Sequence, residues 1–205
     1  MRRRPFLLPL VGALVLGGVL AAGCLPQPDA DTASSSDQPL DSIAVEKEAP
    51  YITTPQWVVE RMLKMADVDD TDVVYDLGSG DGRFVITAAR QFGARGVGIE
   101  INPRLLQHAR ISAQLAGVAD RVTFRQGDLY KADLGAATVV TVYLDKKLNV
   151  RLRPRLLRQL DPGDRVVSHN YGMGAWTADR VEQIGDRTIY LWTVPAQPPD
   201  SLLRR

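Results

Sequence analysis

In Val73-Val74-Tyr75-Asp76-Leu77-Gly78-Ser79-Gly80-Asp81-Gly82-Arg83 a hydrophobic run leads through an acid into three glycines at alternate positions, and an apolar-periodic stretch begins at Arg83. That order predicts a buried strand, a tight loop and a helix over residues 83–92. Glycines serve where the backbone must turn sharply and meet a ligand without Cβ atoms in the way. Such a loop is a weak signal alone. It gains force from Glu100, which stands at the end of the next predicted strand, 24 residues after Asp76, where a carboxylate can accept both hydroxyls of a ribose.

Two nucleoside ligands compete for this pattern, and the spacing separates them. A dinucleotide loop wants Gly or Ala at the sixth position of G-x-G-x-x-G, and counted from Gly78 that position is Arg83. It also sets a pyrophosphate on the helix N-terminus, where Asp81 would repel it. S-adenosyl-L-methionine has no phosphate and carries an amino cation and a sulfonium, so acids in the loop are tolerated or useful. The residues favour S-adenosylmethionine as the cofactor.

With these residues in view, Asp76-x-Gly78-x-Gly80-x-Gly82 resembles motif I of class I methyltransferases, and Gly98-Ile99-Glu100 resembles their second motif. In that family an acid after the third strand commonly receives the adenine amino group, which makes Asp128 of Gln126-Gly127-Asp128-Leu129 the candidate. Tyr51-Ile52-Thr53-Thr54-Pro55, Asp76 to Arg83, Val139 to Leu144 and Arg165-Val166-Val167-Ser168-His169 are similar to the small lysine methyltransferases of ATP-synthase c-subunit and adenine nucleotide translocase, and to their bacterial relatives. The resemblance implies methyl transfer to a protein lysine. It also implies that Tyr51 and Thr54 fold over the cofactor; the alternative is that they pack against and cap the first helix. Asp76 either contacts the cofactor's amino group or braces the loop by accepting its N–H groups.

Outward from the loop, helical and strand patterns alternate with short turns, predicting an α/β fold with a Rossmann-like, seven-stranded, mostly parallel sheet and a C-terminal antiparallel hairpin. Helices are expected over residues 55–66, with Thr54 as N-cap, and over residues 103–116 and 154–160. Strands are expected over residues 96–101, 122–126, 137–144 and 165–168, and the hairpin over 180–184 and 188–194. The methyltransferase domain then occupies residues 51–195, and residues 196–205 form a flexible tail.

The N-terminus reads differently. Arg2, Arg3 and Arg4 precede an apolar run from Phe6 to Ala22, and Ala21-Ala22-Gly23-Cys24 resembles the lipobox of bacterial lipoproteins. The residue three before the cysteine is Ala21, where the lipobox usually has leucine. Residues 1–24 are thus expected to be a lipoprotein-type signal segment, lipidated at Cys24, and residues 25–50 a disordered tether rich in Pro, Asp and Ser. Six carboxylates against one lysine within residues 25–50 orient the bulk of the chain outside the cytoplasm. Adenosylmethionine is made in the cytoplasm, so an inward-facing anchor and a downstream start stay open beside export.

Composition bounds the partners. With 25 Lys and Arg against 24 Asp and Glu, the chain gives no reason to expect a nucleic-acid partner. One cysteine excludes an internal disulfide, and His108 and His169 lack metal-ligand spacing. The expected partners are a protein with an accessible lysine, or a small molecule, and a membrane held through the N-terminus.

By the same resemblance the acceptor lies over the end of the fourth strand, near Val142, Tyr143, Leu144 and Asp145, without the Asn/Asp-Pro-Pro-Tyr motif of many amine-modifying relatives. Amine methylation needs alignment and desolvation more than a strong base. Tyr143 can orient the amine or serve as a core tyrosine; His169 can accept a proton or serve structurally. Lys146, Lys147, Arg151, Arg153, Arg155 and Arg158 form a basic run without an acid, read as a solvated face or, secondarily, a contact with anionic lipid headgroups. Two rival functions stand beside lysine methylation: a small-molecule methyltransferase, and an exported binding module that keeps the fold without turnover.

Overall fold

The computed structural model describes residues 52–204. The expected signal segment with Cys24, the expected tether and Tyr51 lie outside the described residues. Among the described residues no helix is long and apolar enough to cross a membrane.

Eleven elements follow in the order α1 (Gln56–Met65), β1 (Val73–Leu77), α2 (Arg83–Phe92), β2 (Arg95–Glu100), α3 (Pro103–Leu115), β3 (Val122–Gln126), β4 (Val139–Val142), α4 (Lys146–Gln159), β5 (Arg165–His169), β6 (Arg180–Ile184) and β7 (Arg187–Thr193). The strands form one seven-stranded sheet in the order β3-β2-β1-β4-β5-β7-β6. Strands β1 to β5 pair in parallel, and β7 pairs antiparallel with both β5 and β6. This is the expected α/β, Rossmann-like sheet with its antiparallel C-terminal hairpin.

Side chains alternate across the sheet with period two. Val74 and Val139 face α1 and α2, in a core with Val58, Met62, Phe84 and Ala88. Tyr75, Leu77, Val140 and Val142 face the other way, against Leu152 and Leu156 of α4 and Trp192 of β7. Such two-sided cover explains the near-continuous Val-rich runs of β1 and β4. At the N-terminal end of β1, buried Asp72 accepts from the Thr138 hydroxyl at 2.6 Å and pairs with Arg165, joining three strand starts. The other end of β1 is left to the loop and its ligand.

Three expectations are corrected. Pro154 does not begin a helix. It lies inside α4, which starts eight residues earlier at Lys146, with Asp145 accepting the Leu148 N–H at 2.9 Å as N-cap. A proline in mid-helix removes one backbone hydrogen bond, but Leu152, Leu156 and Leu157 are buried around it and hold the helix on the sheet. The fourth strand is correspondingly shorter than residues 137–144.

The segment after Pro195, expected to be a flexible tail, is docked: Leu202 is buried, and Arg153 donates to the carbonyls of Leu202 (3.0 Å) and Arg204 (2.9 Å). Arg153 itself is buried, so the basic run is not simply a solvated face. Finally, α1 is entered through Pro55 with no side-chain cap, because the Thr54 hydroxyl is used elsewhere.

Candidate active site

The strand order reverses between β1 and β4, and in open parallel sheets ligands bind in the crevice beyond the strand ends at that point. The glycine loop forms its floor. Gly78, Gly80 and Gly82 have φ of 84°, 53° and 80°, the left-handed region that glycine enters without steric cost. The N–H groups of Gly78 and Ser79 both donate to Ile99 O at 2.9 Å, and the Gly82 N–H donates to Ser79 O at 2.8 Å, so the loop is folded back onto the end of β2. Gly82 is needed for packing too: a Cβ there would stand 2.6 Å from Cε1 of Phe124.

Glu100 completes the floor. Its Oε2 accepts the Gly80 N–H and its Oε1 the Asn102 N–H, each at 2.9 Å. Each carboxylate oxygen retains a second lone pair for a hydroxyl donor. The turn bearing Asp128 stands alongside, since the Gly127 N–H donates to Glu100 O at 3.0 Å. Asp128 Oδ1 accepts the Tyr130 N–H at 2.8 Å, a side-chain turn that fixes the carboxylate at the end of β3.

Asp76 and Thr141 are register partners on β1 and β4, so their side chains share a face, and Asp76 Oδ1 accepts the Thr141 hydroxyl at 2.7 Å. The loop N–H groups named above go to Ile99 and Glu100 instead, which leaves Asp76 no part in bracing them. Burial pushes the Asp76 carboxyl up to about 7 against the pull of the Thr141 hydrogen bond, with the charges of Asp81 and Glu100 pushing the same way as burial and Arg83 opposing.

The acceptor end is formed by Tyr143 just beyond β4, His169 closing β5, and Thr54 ahead of α1. Thr54 Oγ1 lies 3.2 Å from His169 Nδ1, and its carbonyl accepts from Arg83 Nη1 at 2.5 Å; Arg83 pairs in turn with Asp81 of the glycine loop. His169 is fully buried, and its Nε2 has no hydrogen-bond partner among the described residues. Burial pulls the imidazole down to about 4, helped by the positive charge of Arg187 and opposed by Asp186. The ring centroids of Tyr143 and His169 are 4.1 Å apart, and Tyr171 lies 6.3 Å from Tyr143 on its other side.

Sequence reasoning misses Tyr171 and the group that places it. Asn149 of α4 donates to Ser168 Oγ (3.2 Å) and to Tyr171 O (2.9 Å), and Ser168 Oγ donates to Tyr171 O at 2.7 Å. Asn170 enters the left-handed region at φ 62°, its N–H donating to Thr188 O at 2.6 Å and its side chain accepting the Thr188 N–H at 3.0 Å. An asparagine directly after a buried strand and before Tyr-Gly is the signal that marks this turn.

The structure thus brings Thr54, Asp76, Gly78, Gly80, Gly82, Glu100, Asp128, Tyr143 and His169 to one end of the sheet. Its donor set suits a ligand with a cationic end and a diol, because the acids Asp76, Asp81 and Glu100 surround the loop and Arg83 is committed to Asp81 and Thr54. Among the described residues no group of His, Cys, Asp and Glu is arranged to hold a metal.

Comparison with known proteins agrees with this geometry. The ANTKMT methyltransferase domain matches residues 76–180. A protein-lysine N-methyltransferase of Saccharolobus islandicus (strain REY15A) is 41% identical over 150 residues, covering 71% of this chain and 93% of the relative. The adenine nucleotide translocase lysine N-methyltransferase of Mus musculus is 34% identical over 151 residues, covering 73% of this chain and 64% of the relative, so the chain spans less than two thirds of that protein. The crystal structure of RNA methyltransferase from Salinibacter ruber in complex with S-adenosyl-L-homocysteine superposes with a TM-score of 0.73 at 58% identity, covering 74% of this chain and 99% of that one. The chain belongs to the ANTKMT methyltransferase family and is an S-adenosylmethionine-dependent methyltransferase.

Proposed function

We infer that the acceptor is the ε-amine of a protein lysine. The observation that carries this is the aromatic end of the crevice, where Tyr143 lies between His169 and Tyr171 beyond β4 and β5. Bound adenosylmethionine supplies the electrophilic methyl. Gly78, Gly80 and Gly82 let the backbone approach it, Glu100 accepts the ribose hydroxyls, Asp128 the adenine amino group, and Asp76 faces the amino cation. Thr54, with Tyr51, closes over this end. The rings of Tyr143 and Tyr171 exclude water and align the amine. His169, neutral at physiological pH, donates Nδ1–H to Thr54 and presents the Nε2 lone pair toward the amine's proton. The name of the Saccharolobus islandicus relative supports a lysine acceptor. The name of the Salinibacter ruber protein favours RNA, against which stands the near-neutral net charge of +1.

Methyl-labelled adenosylmethionine added to the protein with matched protein and RNA fractions separates these readings. Label recovered as methyllysine after acid hydrolysis is the expected result. Label confined to RNA or to small molecules overturns the lysine assignment.

Residues 1–24 are read as an export signal with lipidation at Cys24, and residues 25–50 as the tether to an extracytoplasmic membrane face; the basic n-region and the acidic linker support this. Protease added to intact spheroplasts is expected to degrade the domain. Full protection would contradict export and favour an inward-facing anchor or a downstream start, either of which gives direct access to cytoplasmic adenosylmethionine.

A further inference from the structure

We propose that a pocket between α4 and the C-terminal segment binds a phosphate group. The pocket has a volume of about 550 Å³, within the range of small-molecule sites. Arg151, Arg155, Arg158 and Arg204 line it together with Tyr130, and no carboxylate does. Positions 151, 155 and 158 are spaced to fall on one face of α4. Arg204 comes from the far end of the chain.

This is a constructed wall and not a chance run of surface charge. Buried Arg153, on the same helix, donates to the carbonyls of Met173 (3.1 Å), Leu202 (3.0 Å) and Arg204 (2.9 Å), which fixes the segment carrying Arg204. Arg155 donates to Ala132 O at 2.6 Å and Arg158 to Leu203 O at 2.7 Å, so both guanidinium groups are held in place before any ligand arrives. The guanidinium of Arg151 lies 4.0 Å from the centre of the Tyr130 ring. The Arg155 Nε–H is buried without an acceptor, an unmet donor in a pocket that holds no anion of its own. Planar guanidinium forks match the oxygens of phosphate, and four of them call for more than one negative charge. The inference is independent of the acceptor assigned above.

The test titrates the full chain with inorganic phosphate and with glycerol 3-phosphate at constant ionic strength, following arginine Nε–H resonances by NMR. Saturable shifts at Arg155 are expected, weakened at least about tenfold in the double variant Arg151→Gln, Arg155→Gln, and unchanged in Arg104→Gln on α3. Arg155→Lys, which keeps the charge and loses the fork, should show an intermediate loss and covers the case in which the double variant fails to fold.

A second arm compares sedimentation with phosphatidylglycerol-containing and pure phosphatidylcholine vesicles, reading the difference between wild type and Arg155→Lys so that the N-terminus cancels. A variant-sensitive preference for anionic vesicles assigns the phosphate to a lipid headgroup. Saturable glycerol 3-phosphate binding without that preference assigns it to a soluble ligand. Shifts that do not saturate, or that persist in the variants, would overturn the proposal, as would saturable binding of a short RNA with none of glycerol 3-phosphate.

Discussion

The Thr54 hydroxyl meets Nδ1 of His169 at 3.2 Å across 115 residues of sequence, while the Thr54 carbonyl is held by Arg83 of the glycine loop. One residue therefore couples the cofactor loop to the acceptor histidine. Thr54→Val keeps the shape and removes the hydroxyl, leaving a buried ring nitrogen without a partner. The expected loss is about 1–3 kcal/mol of stability, read from urea midpoints, with Thr54→Ser near wild type. Equal stability of the valine variant would show that the contact contributes nothing.

Asp76 gives a pH signature with a definite sign. Its carboxyl has a value of about 7 in the fold and 3.8 as the reference for the unfolded chain, so its contribution to stability is fully present below 3.8 and is lost as pH rises toward 7. Asp76→Asn removes that slope, and relative to the wild type it should gain on the order of a few kcal/mol between acidic and neutral pH. A cation bound beside Asp76 draws it into the ionised form, so cofactor affinity in the wild type should strengthen from pH 6 to pH 8, with proton release visible by calorimetry in buffers of different ionisation heat. The variant should bind at least about tenfold more weakly with no such dependence. Wild-type binding that does not change with pH would place the cation elsewhere.

Gly82 and Gly78 separate packing from approach. Both have positive φ, but a Cβ at Gly82 would press into the Phe124 ring at 2.6 Å, whereas at Gly78 the nearest atom is Leu144 Cδ2 at 3.8 Å. Gly82→Ala should cost about 1–3 kcal/mol beyond the conformational strain shared by both variants. Chemical denaturation of the pair measures the difference, and equal midpoints would contradict it.

His169 should stay neutral through the working range. Its value of about 4 in the fold lies below the ordinary 6.5, so the stability it contributes is present above 6.5 and lost as pH falls toward 4. Proton NMR of the His169 ring is expected to show no titration between pH 5.5 and 8. A midpoint near 6.5 would mean that water or a counter-charge reaches the ring and that it does not act as a neutral acceptor.

The cofactor half of the site is legible in the sequence because its signals are local. Asp76, the three glycines and Glu100 sit at element boundaries that alternation and glycine spacing define, and strand pairing then fixes their places. The acceptor half depends on contacts between distant segments. Thr54 reads as a helix cap because threonine before proline has that chemistry, and only the folded chain shows its hydroxyl turned to His169. Tyr171 is placed by Asn149 and Ser168 through its backbone carbonyl, which no sequence spacing reveals. Pro154 reads as a helix start since proline breaks most helix interiors; buried leucines carry α4 through it, and Asp145 is the true start signal. Arg153 looks like one more surface charge until the C-terminal carbonyls it binds are in place.

Calorimetric titration of S-adenosylmethionine and S-adenosylhomocysteine into the wild type and Glu100→Ala tests the central claim most directly. One carboxylate holds the Gly80 and Asn102 N–H groups and faces the ribose. The account predicts micromolar binding to the wild type and a loss of at least about a hundredfold in the variant, which remains folded by circular dichroism. Equal binding to both proteins, or none to either, would contradict it.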